Sequence, residues 1–259
     1  MTIACTWWGH ASVTVETGAT RVAVDPLLSD RLFHLVRHTV SPGPGAASAD
    51  LVLVSHLHQD HCHLPSLARF PRDVPIVVPR GSERLLAGLG RDRLVPVAPG
   101  DVVELAGVRV EALAATHDGR RHPLSREATP ALGFRVEGGE GGEGSWWFPG
   151  DTELRADMRD VEPVDLALVP IGGWGPTLGD GHMHPEHGAE AVARVGARWA
   201  VPVHWGTFWP AGLQRLAPAN HQRLFTTPGT RFVEALADSR TEAVLAVPGE
   251  RVSLPVGDP

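Results

Sequence analysis

Apolar residues along the chain occur in short runs, and most of these runs predict β-strands. Alternation of apolar and polar positions at residues 12–16 and 21–25 indicates two strands joined by a hairpin turn. Uninterrupted apolar runs at residues 50–55 and 165–171 are typical of strands buried within a sheet. Further runs predict strands at residues 75–79, 102–104, 108–114, 131–137, 145–148, 199–204 and 243–247.

Helical patterns are fewer and stand mostly in the second half of the chain. Residues 185–195 predict a helix, with His184 as its N-cap and Pro185 at its first position. Shorter helices are predicted at residues 81–90 and 231–237. Strands come first as hairpins and then alternate with helices, which predicts layered sheets with helices outside, formed by one domain over residues 1–259.

Two segments between these elements are predicted to be irregular. Residues 138–144 form a glycine-rich turn, and residues 27–49 form one long stretch without regular structure. Loops of that length are often the rims or lids of functional sites. Trp174 and Trp209 are candidates either for the lining of an apolar pocket or for the core.

Composition narrows the chemistry that the chain can perform. It has 259 residues, of which 42% are hydrophobic and 20% charged, as in a globular protein. All 23 basic residues are arginines and tyrosine is absent, so catalysis by lysine or tyrosine is excluded. The net charge of −7, without any basic run, disfavours a nucleic-acid partner.

Cysteine usage and hydropathy suggest a cytoplasmic location. Cys5 and Cys62 are too few for a disulfide framework, and reduced thiols are the simplest interpretation. The N-terminus lacks the features of a signal peptide, and no run is apolar for long enough to predict a membrane span. No pattern in the sequence indicates an oligomeric state.

Four side chains that can bind metals lie within six residues, directly after a predicted strand: His56, His58, Asp60 and His61. Alternate residues of an extended segment point the same way, so His56 and His58 share one direction. If a helix begins near Gln59, the side chains of Asp60 and His61 point in a second direction, next to that of His56 and His58. One loop could therefore supply two ligands to each of two adjacent metal ions, and imidazole and carboxylate suit zinc, manganese or iron.

Three more candidate ligands stand at or just beyond the ends of other predicted strands: His117, Asp151 and His204. Taken singly, these residues have other interpretations, as a loop histidine, a helix N-cap and a buried structural histidine. Beside the first motif they predict a site assembled along one sheet edge, as layered α/β folds often do.

These motifs resemble the metallo-β-lactamase superfamily over nearly the whole chain. Within it, the sequence is similar to the branch that contains N-acyl-phosphatidylethanolamine phospholipase D and L-ascorbate-6-phosphate lactonase. The matching segments are residues 8–12, Asp25-Pro26, residues 55–61, His117, residues 150–152, residues 182–193 and residues 202–208. The resemblance implies an α/β fold, a four-layer αββα sandwich, with the active site at one edge of its two sheets.

The resemblance also implies roles for single residues. One divalent metal ion, with zinc as the first choice, would be bound by His56, His58 and His117. A second would be bound by Asp60, His61 and His204, with Asp151 between the two. A metal-bridging hydroxide would then attack the substrate. Asp60 could also accept a proton, and His182 could protonate a leaving group or bind an anionic substrate.

Other residues are expected to support this site. Asp25 and, as a weaker candidate, His10 would orient metal ligands from behind, since metal-bound histidines usually donate their second N–H to an acceptor. Arg120 and Arg121 could hold a phosphate, and isolated surface arginines are the alternative. His184 and His187 are interpreted as surface residues at a helix N-terminus.

The function predicted from these residues is that of a dinuclear metal-dependent hydrolase acting on a small molecule, a phosphodiester or a phosphorylated lactone. Neutral esters, lactones and amides stay open as substrates. A non-catalytic metal-binding sensor or scaffold is an alternative of another class. Redox chemistry is disfavoured because His58 stands where di-iron relatives carry a glutamate.

Overall fold

The computed structural model describes residues 1–122, 124–125, 128–138, 144–173, 175 and 177–256. Trp174 and residues 139–143 of the expected glycine-rich turn lie outside the described residues. Trp209 is buried and belongs to the interior.

Within the described residues the chain forms seventeen strands. In chain order they are β1 (Thr2–Gly9), β2 (Ser12–Thr17), β3 (Thr20–Val24), β4 (Arg31–Leu32), β5 (Leu35–Arg37), β6 (Leu51–Leu53), β7 (Ile76–Pro79), β8 (Leu94–Val97), β9 (Val102–Leu105), β10 (Val108–Ala114), β11 (Leu132–Gly138), β12 (Ser145–Phe148), β13 (Leu166–Pro170), β14 (Trp199–Val203), β15 (Phe208–Pro210), β16 (Glu242–Ala243) and β17 (Arg251–Pro255).

The helices of the described residues are short, apart from one of eleven residues and one of eight. They are α1 (Leu64–Leu67), α2 (Glu83–Leu86), α3 (Pro185–Val195), α4 (Leu213–Leu216), α5 (Pro218–His221) and α6 (Pro228–Ala235). Four 3₁₀ segments (Pro44–Ala47, Ala87–Leu89, Arg91–Arg93, Ala156–Asp160) and one π-helical turn (Gln222–Thr226) complete the regular structure. None of these helices has both the length and the apolar character needed to cross a membrane.

The strands form two seven-stranded mixed sheets of similar construction. The first has the order β17–β1–β2–β3–β6–β7–β8, and the second has the order β16–β14–β13–β12–β11–β10–β9. In the first sheet β17 to β3 pair antiparallel, and β3 to β8 pair parallel with Val22 opposite Leu51. In the second sheet β16 to β12 pair parallel, with Leu166 opposite Trp199, and β12 to β9 pair antiparallel. A small third sheet has the order β15–β5–β4.

Apolar side chains bury both faces of each large sheet. The central core lies between the sheets and contains Leu53 and Leu168. A second cluster joins β13 to α3 and α6, and a third joins β6 and β7 to α1 and α2. Burial on both faces explains why β6 and β13 have continuous apolar sequences. The layers therefore form the predicted αββα sandwich.

Several predicted elements have different bounds in the structure. The helix expected at residues 81–90 is one α-helical turn, Glu83–Leu86, followed by a 3₁₀ turn. The helix expected at residues 231–237 begins earlier, at Pro228, and the strand expected at residues 243–247 is only Glu242–Ala243. Strand β8 and the terminal strands β1 and β17 were not predicted, and β1 and β17 pair with each other across almost the whole chain.

The prediction that residues 27–49 are irregular throughout is wrong. Strands β4 and β5 form a hairpin there, and β5 continues the small sheet by pairing Arg37 with Phe208. These strands have two and three residues, which is too few for alternation to be recognised in the sequence. Their pairing depends on β15, which follows 170 residues later.

Candidate metal centre

The predicted site residues follow strands that are parallel to one another within each sheet. In the first sheet β1, β3 and β6 are mutually parallel, and in the second sheet β10, β12 and β14 are. Their C-terminal ends bring the predicted residues together at one edge of the sandwich. These residues are His10 after β1, Asp25 after β3, residues 56–61 after β6, His117 after β10, Asp151 after β12 and His204 after β14.

Three imidazoles form the first group of this centre. His58 Nδ1 lies 3.0 Å from His56 Nε2 and 3.1 Å from His117 Nε2. His56 is fully buried, whereas His58 and His117 are half-buried. The three nitrogens are close enough together to bind one metal ion.

A second group lies beside the first and combines imidazoles with a carboxylate. His61 Nε2 is 3.0 Å from His204 Nε2. Asp60 Oδ2 lies 3.6 Å from the former nitrogen and 3.7 Å from the latter. All three side chains are buried, and their ligand atoms can also surround one metal ion.

Asp151 lies between the two groups. Its Oδ2 is 3.1 Å from His61 Nε2 and 3.4 Å from His204 Nε2. Its Oδ1 is buried and has no hydrogen-bond partner among the described residues. A buried carboxylate oxygen without a partner is costly, and a metal ligand is one of the few roles that compensates that cost.

Glycine at position 150 allows Asp151 to approach the centre. Gly150 has φ +66°, and a Cβ atom there would lie 2.3 Å from the carbonyl oxygen of Leu132. Any larger residue would push the turn away from β11. Position 150 is therefore restricted to glycine by both conformation and space.

The outer nitrogens of these histidines donate hydrogen bonds away from the centre. His204 Nδ1 donates to the carbonyl of Gly172 at 2.9 Å, and His117 Nδ1 donates to the carbonyl of Gly181 at 2.9 Å. His61 Nδ1 donates to Asp25 Oδ2 at 2.7 Å. A carbonyl can only accept, so His117 and His204 carry a proton on the outer nitrogen, and the inner nitrogen of the neutral ring carries a lone pair.

The distances between these inner ligand atoms show whether the centre can hold metal ions. His204 Nε2 presents its lone pair 3.0 Å from His61 Nε2, so a proton on His61 or a metal ion must lie between the two nitrogens. A tetrahedral zinc ion with Zn–N bonds of about 2.0–2.1 Å places neighbouring ligand atoms roughly 3.3 Å apart. The spacing within both groups is close to that value, so the residues present fit divalent metal ions.

Burial and neighbouring charges shift the pKa values of these groups in opposite directions. Burial lowers the pKa of His117 to about 4 and holds that of His56 well below its usual value. Burial also lowers the pKa of His61, but three surrounding carboxylates outweigh it and raise this pKa well above the usual value. Burial raises the pKa of Asp60 and Asp151, yet the neighbouring histidines hold both well below the usual range. Both carboxylates are therefore ionised.

Asp25 supports the centre from behind. It is fully buried and accepts from Ser55 N at 2.7 Å, from Ser55 Oγ at 2.5 Å and from His61 Nδ1. The Ser55 hydroxyl donates to Asp25, so it accepts from His56 Nδ1 at 3.0 Å. One carboxylate thus fixes the ring of His61 directly and that of His56 through a hydroxyl.

Asp25→Asn is expected to lower metal affinity about 10- to 100-fold, because an amide does not reproduce the charged acceptor behind His61. Competition with a chromogenic chelator measures the affinity. Asp238→Asn, which changes an exposed carboxylate, serves as the matched control. Equal affinity in the two variants would contradict this role for Asp25.

His10 contacts the second group from the opposite side. Its Nε2 donates to Asp60 Oδ2 at 2.8 Å, and its ring lies 3.9 Å from that of His204. Burial lowers its pKa to about 3, so the ring is neutral. His10 therefore orients the Asp60 carboxylate without adding charge to the centre.

His182 lies at the open side of the centre. Its Nε2 is 3.3 Å from Asp151 Oδ2, and about a fifth of its side chain is exposed. Burial lowers its pKa, but the hydrogen bond with Asp151 outweighs burial and raises it. His184 and His187 are elsewhere, at the start of α3, where His184 accepts from the backbone N–H of His187.

The two arginines that were candidates for holding a phosphate have protein partners. Arg120 pairs with Asp118 at 2.7 Å. Arg121 donates through one terminal nitrogen to the carbonyls of Leu57 at 3.1 Å and Cys62 at 2.6 Å, at the two ends of the metal-ligand loop. Arg121 also lines the cavity beside the centre, whereas Arg120 does not.

Sequence patterns did not identify the carbonyls of Gly172 and Gly181 or the hydroxyl of Ser55 as parts of the centre. A carbonyl carries no signature in the residue type, so only the fold reveals it. Gly181 could have been noticed in the sequence, because it stands directly before the candidate site residue His182. It has φ +76°, and a Cβ there would lie 2.7 Å from His117 Nδ1.

Comparison with known proteins places this geometry in a family. Residues 20–205 match the model of the Beta-lactamase superfamily domain. The chain belongs to the metallo-β-lactamase superfamily. Within this superfamily a UPF0173 metal-dependent hydrolase of Thermoplasma acidophilum is 31% identical over 230 residues, covering 88% of this chain and 92% of that protein. The chain is accordingly a metal-dependent hydrolase.

Other members of the superfamily are more distant. N-acyl-phosphatidylethanolamine-hydrolyzing phospholipase D 1 of Caenorhabditis elegans is 28% identical in an alignment of 233 residues that covers 78% of this chain and 64% of that protein. Among solved structures, Igni18, a metallo hydrolase of Ignicoccus hospitalis, superposes with a TM-score of 0.75 at 19% identity. The superposition covers 99% of this chain and all of that one, and it supports the shared fold.

Proposed function

We propose that residues 1–259 act as one dinuclear metal-dependent hydrolase domain. The observation that carries this proposal is the convergence of five imidazoles and two carboxylates into two adjacent groups, beside which Asp151 Oδ1 is buried without a hydrogen-bond partner among the described residues. The proposed ligands of one ion are His56, His58 and His117, and those of the other are Asp60, His61 and His204. Asp151 is the proposed bridging ligand.

Zinc is the ion that we propose for both positions. Neutral imidazoles outnumber carboxylates in the set, and zinc commonly takes this mixture in tetrahedral geometry. Manganese and iron accept the same ligand types, so metal content after purification is to be compared with activity after reconstitution.

Two divalent cations bound here would supply a hydroxide nucleophile at neutral pH and polarise an oxygen of the scissile bond. The side chains around the metal ions would have separate roles. Asp60 and Asp151 line the cavity next to the centre and hold negative charge there. His182 also lines it, and its raised pKa suits a group that delivers a proton to the departing oxygen.

A phosphodiester or a phosphorylated lactone is the substrate class that we propose. The name of the Caenorhabditis elegans relative, a phospholipase D, supports a phosphodiester. Arg121 and His182 line the same cavity, and the guanidinium charge of Arg121 favours an anionic group near the metal ions. Arg120, which is paired with Asp118, is assigned no substrate contact.

Hydrolysis of bis(p-nitrophenyl) phosphate tests this function. We expect Zn- or Mn-reconstituted protein to release p-nitrophenolate and chelator-treated protein to be inactive until metal is returned. p-Nitrophenyl acetate and a γ-lactone, tested in parallel, separate the substrate classes. Metal-loaded protein that hydrolyses the ester or the lactone but not the phosphodiester would contradict the proposed substrate class.

A further inference from the structure

A cavity of about 450 Å³ opens directly onto the metal centre. His58, Asp60, Asp151 and His182 line its inner end. The remaining described lining except Arg121, called the outer part here, includes the apolar side chains of Leu32, Phe33, Leu35 and Leu178. The same open cavity therefore combines ionisable side chains at the metal centre with an apolar outer part.

The described lining of the outer part contains no carboxylate. Its polar groups are Gln59, Thr177 and the histidines at positions 34 and 122, whereas Arg121 donates to the carbonyls of Leu57 and Cys62 and belongs to the inner end. Apolar walls without an acidic group suit an uncharged alkyl or aryl group and offer nothing to a cationic one.

Phe33 occupies the turn of the β4–β5 hairpin in a conformation that disfavours it. Leu32 pairs with Leu35, so the turn has two residues, and Phe33 is the first of them with φ +53°. Glycine or asparagine is usual at such positions because a side chain with a Cβ is strained there. The ring is nevertheless 69% exposed, so packing within the protein does not explain its presence.

The hairpin that carries Phe33 is fixed to the rest of the molecule by a buried arginine. Arg37 donates at 2.8 Å to the carbonyls of both Trp8 and Leu27, and at 3.2 Å to that of Ser29. Its guanidinium also lies 4.8 Å from the centre of the Phe208 ring. The hairpin is thus a preorganised wall of the cavity, and its position does not depend on Phe33.

We infer that this cavity binds an uncharged apolar arm of the substrate and that Phe33 contacts this arm. The inference deepens the proposed function and rests on it, because the arm is attached to the group that is hydrolysed at the metal centre. The strained turn, the exposed ring and the continuity of the apolar walls with the metal centre all support the same assignment.

Alkyl p-nitrophenyl phosphodiesters with arms from methyl to hexyl test the substrate class. We expect kcat/KM of the metal-loaded protein to rise about fourfold per added methylene until the cavity is filled, which is the effect of burying a methylene group. A choline-like arm of similar size, which carries a positive charge, is expected to gain nothing over methyl.

Phe33→Gly tests the residue, and Ala106→Gly is its matched control. Ala106 is exposed and has φ +51° in the β9–β10 turn, outside the lining of this cavity. Both variants relieve a disfavoured turn conformation, so we expect Tm to rise or stay constant in both. Only Phe33→Gly is expected to lower kcat/KM for the hexyl ester, about tenfold more than for the methyl ester.

The outcomes separate the two proposals. No hydrolysis of any member of the series by metal-loaded protein would overturn the proposed function in its phosphodiester form. Hydrolysis at a rate independent of arm length would leave that function standing and overturn the apolar subsite. An unchanged arm-length profile in Phe33→Gly would overturn the assignment of Phe33.

Discussion

Asp151→Ala is expected to lower kcat/KM of the metal-loaded enzyme by about 10³-fold or more. This carboxylate is 3.1 Å from His61 Nε2 and 3.4 Å from His204 Nε2, and its second oxygen has no hydrogen-bond partner among the described residues. Its removal leaves two buried imidazole nitrogens without the negative charge between them. A loss of several kcal/mol of transition-state stabilisation corresponds to this factor.

His182→Ala provides the comparison for that variant. His182 contacts the same oxygen but lies at the open side, where it is proposed to transfer a proton. We expect a loss of about 100-fold in kcat, with metal content unchanged. Steady-state kinetics, metal analysis and melting curves of both variants distinguish the two proposed roles. Asp151→Ala with activity within tenfold of the parent would show that the reactive centre lies elsewhere.

His204→Ala is expected to reduce bound zinc from two ions to about one per chain. His204 Nε2 is one of three ligand atoms in the second group, and its ring is fixed by the carbonyl of Gly172 and by contact with His10. Removing one of these three atoms is expected to weaken zinc binding by the second group far more than zinc binding by the first. Elemental analysis of dialysed protein measures the ratio of zinc to chain.

His221→Ala is the matched control for the metal-loss variant. His221 lies in α5, where it stacks on Phe225 at 4.7 Å and has no contact with the centre. This variant should retain both ions and full activity. Two ions per chain in His204→Ala as well would refute the ligand assignment for the second position.

Local sequence patterns were sufficient to predict the parts of the fold that lead to the metal centre. The apolar runs of β6, β12 and β14 are recognisable because burial on both faces forces a continuous run of apolar residues. Residues that follow such strands lie at a sheet edge, which is why strand placement predicted one shared site for the candidate ligands, whereas their division between two metal ions came from the family resemblance. Helix α3 was also predicted with its bounds, because Pro185 marks its start clearly.

Features that depend on distant parts of the chain could not be predicted. Strand β1 pairs with β17, and the hairpin of β4 and β5 pairs with β15. The partners of Arg121 are backbone carbonyls of the metal-ligand loop, which only the folded chain brings within reach. The strained turn at Phe33 is likewise invisible in the sequence, because residue type alone does not reveal a positive φ.

A zinc titration of chelator-treated protein tests the dinuclear centre most directly. Bound zinc and the rate of phosphodiester hydrolysis are measured together as metal is added. A dinuclear centre requires both to reach a plateau at about two equivalents per chain, one for each of the two groups of histidines and carboxylates. A plateau of bound zinc and rate at one equivalent, or hydrolysis that persists without metal, would contradict it.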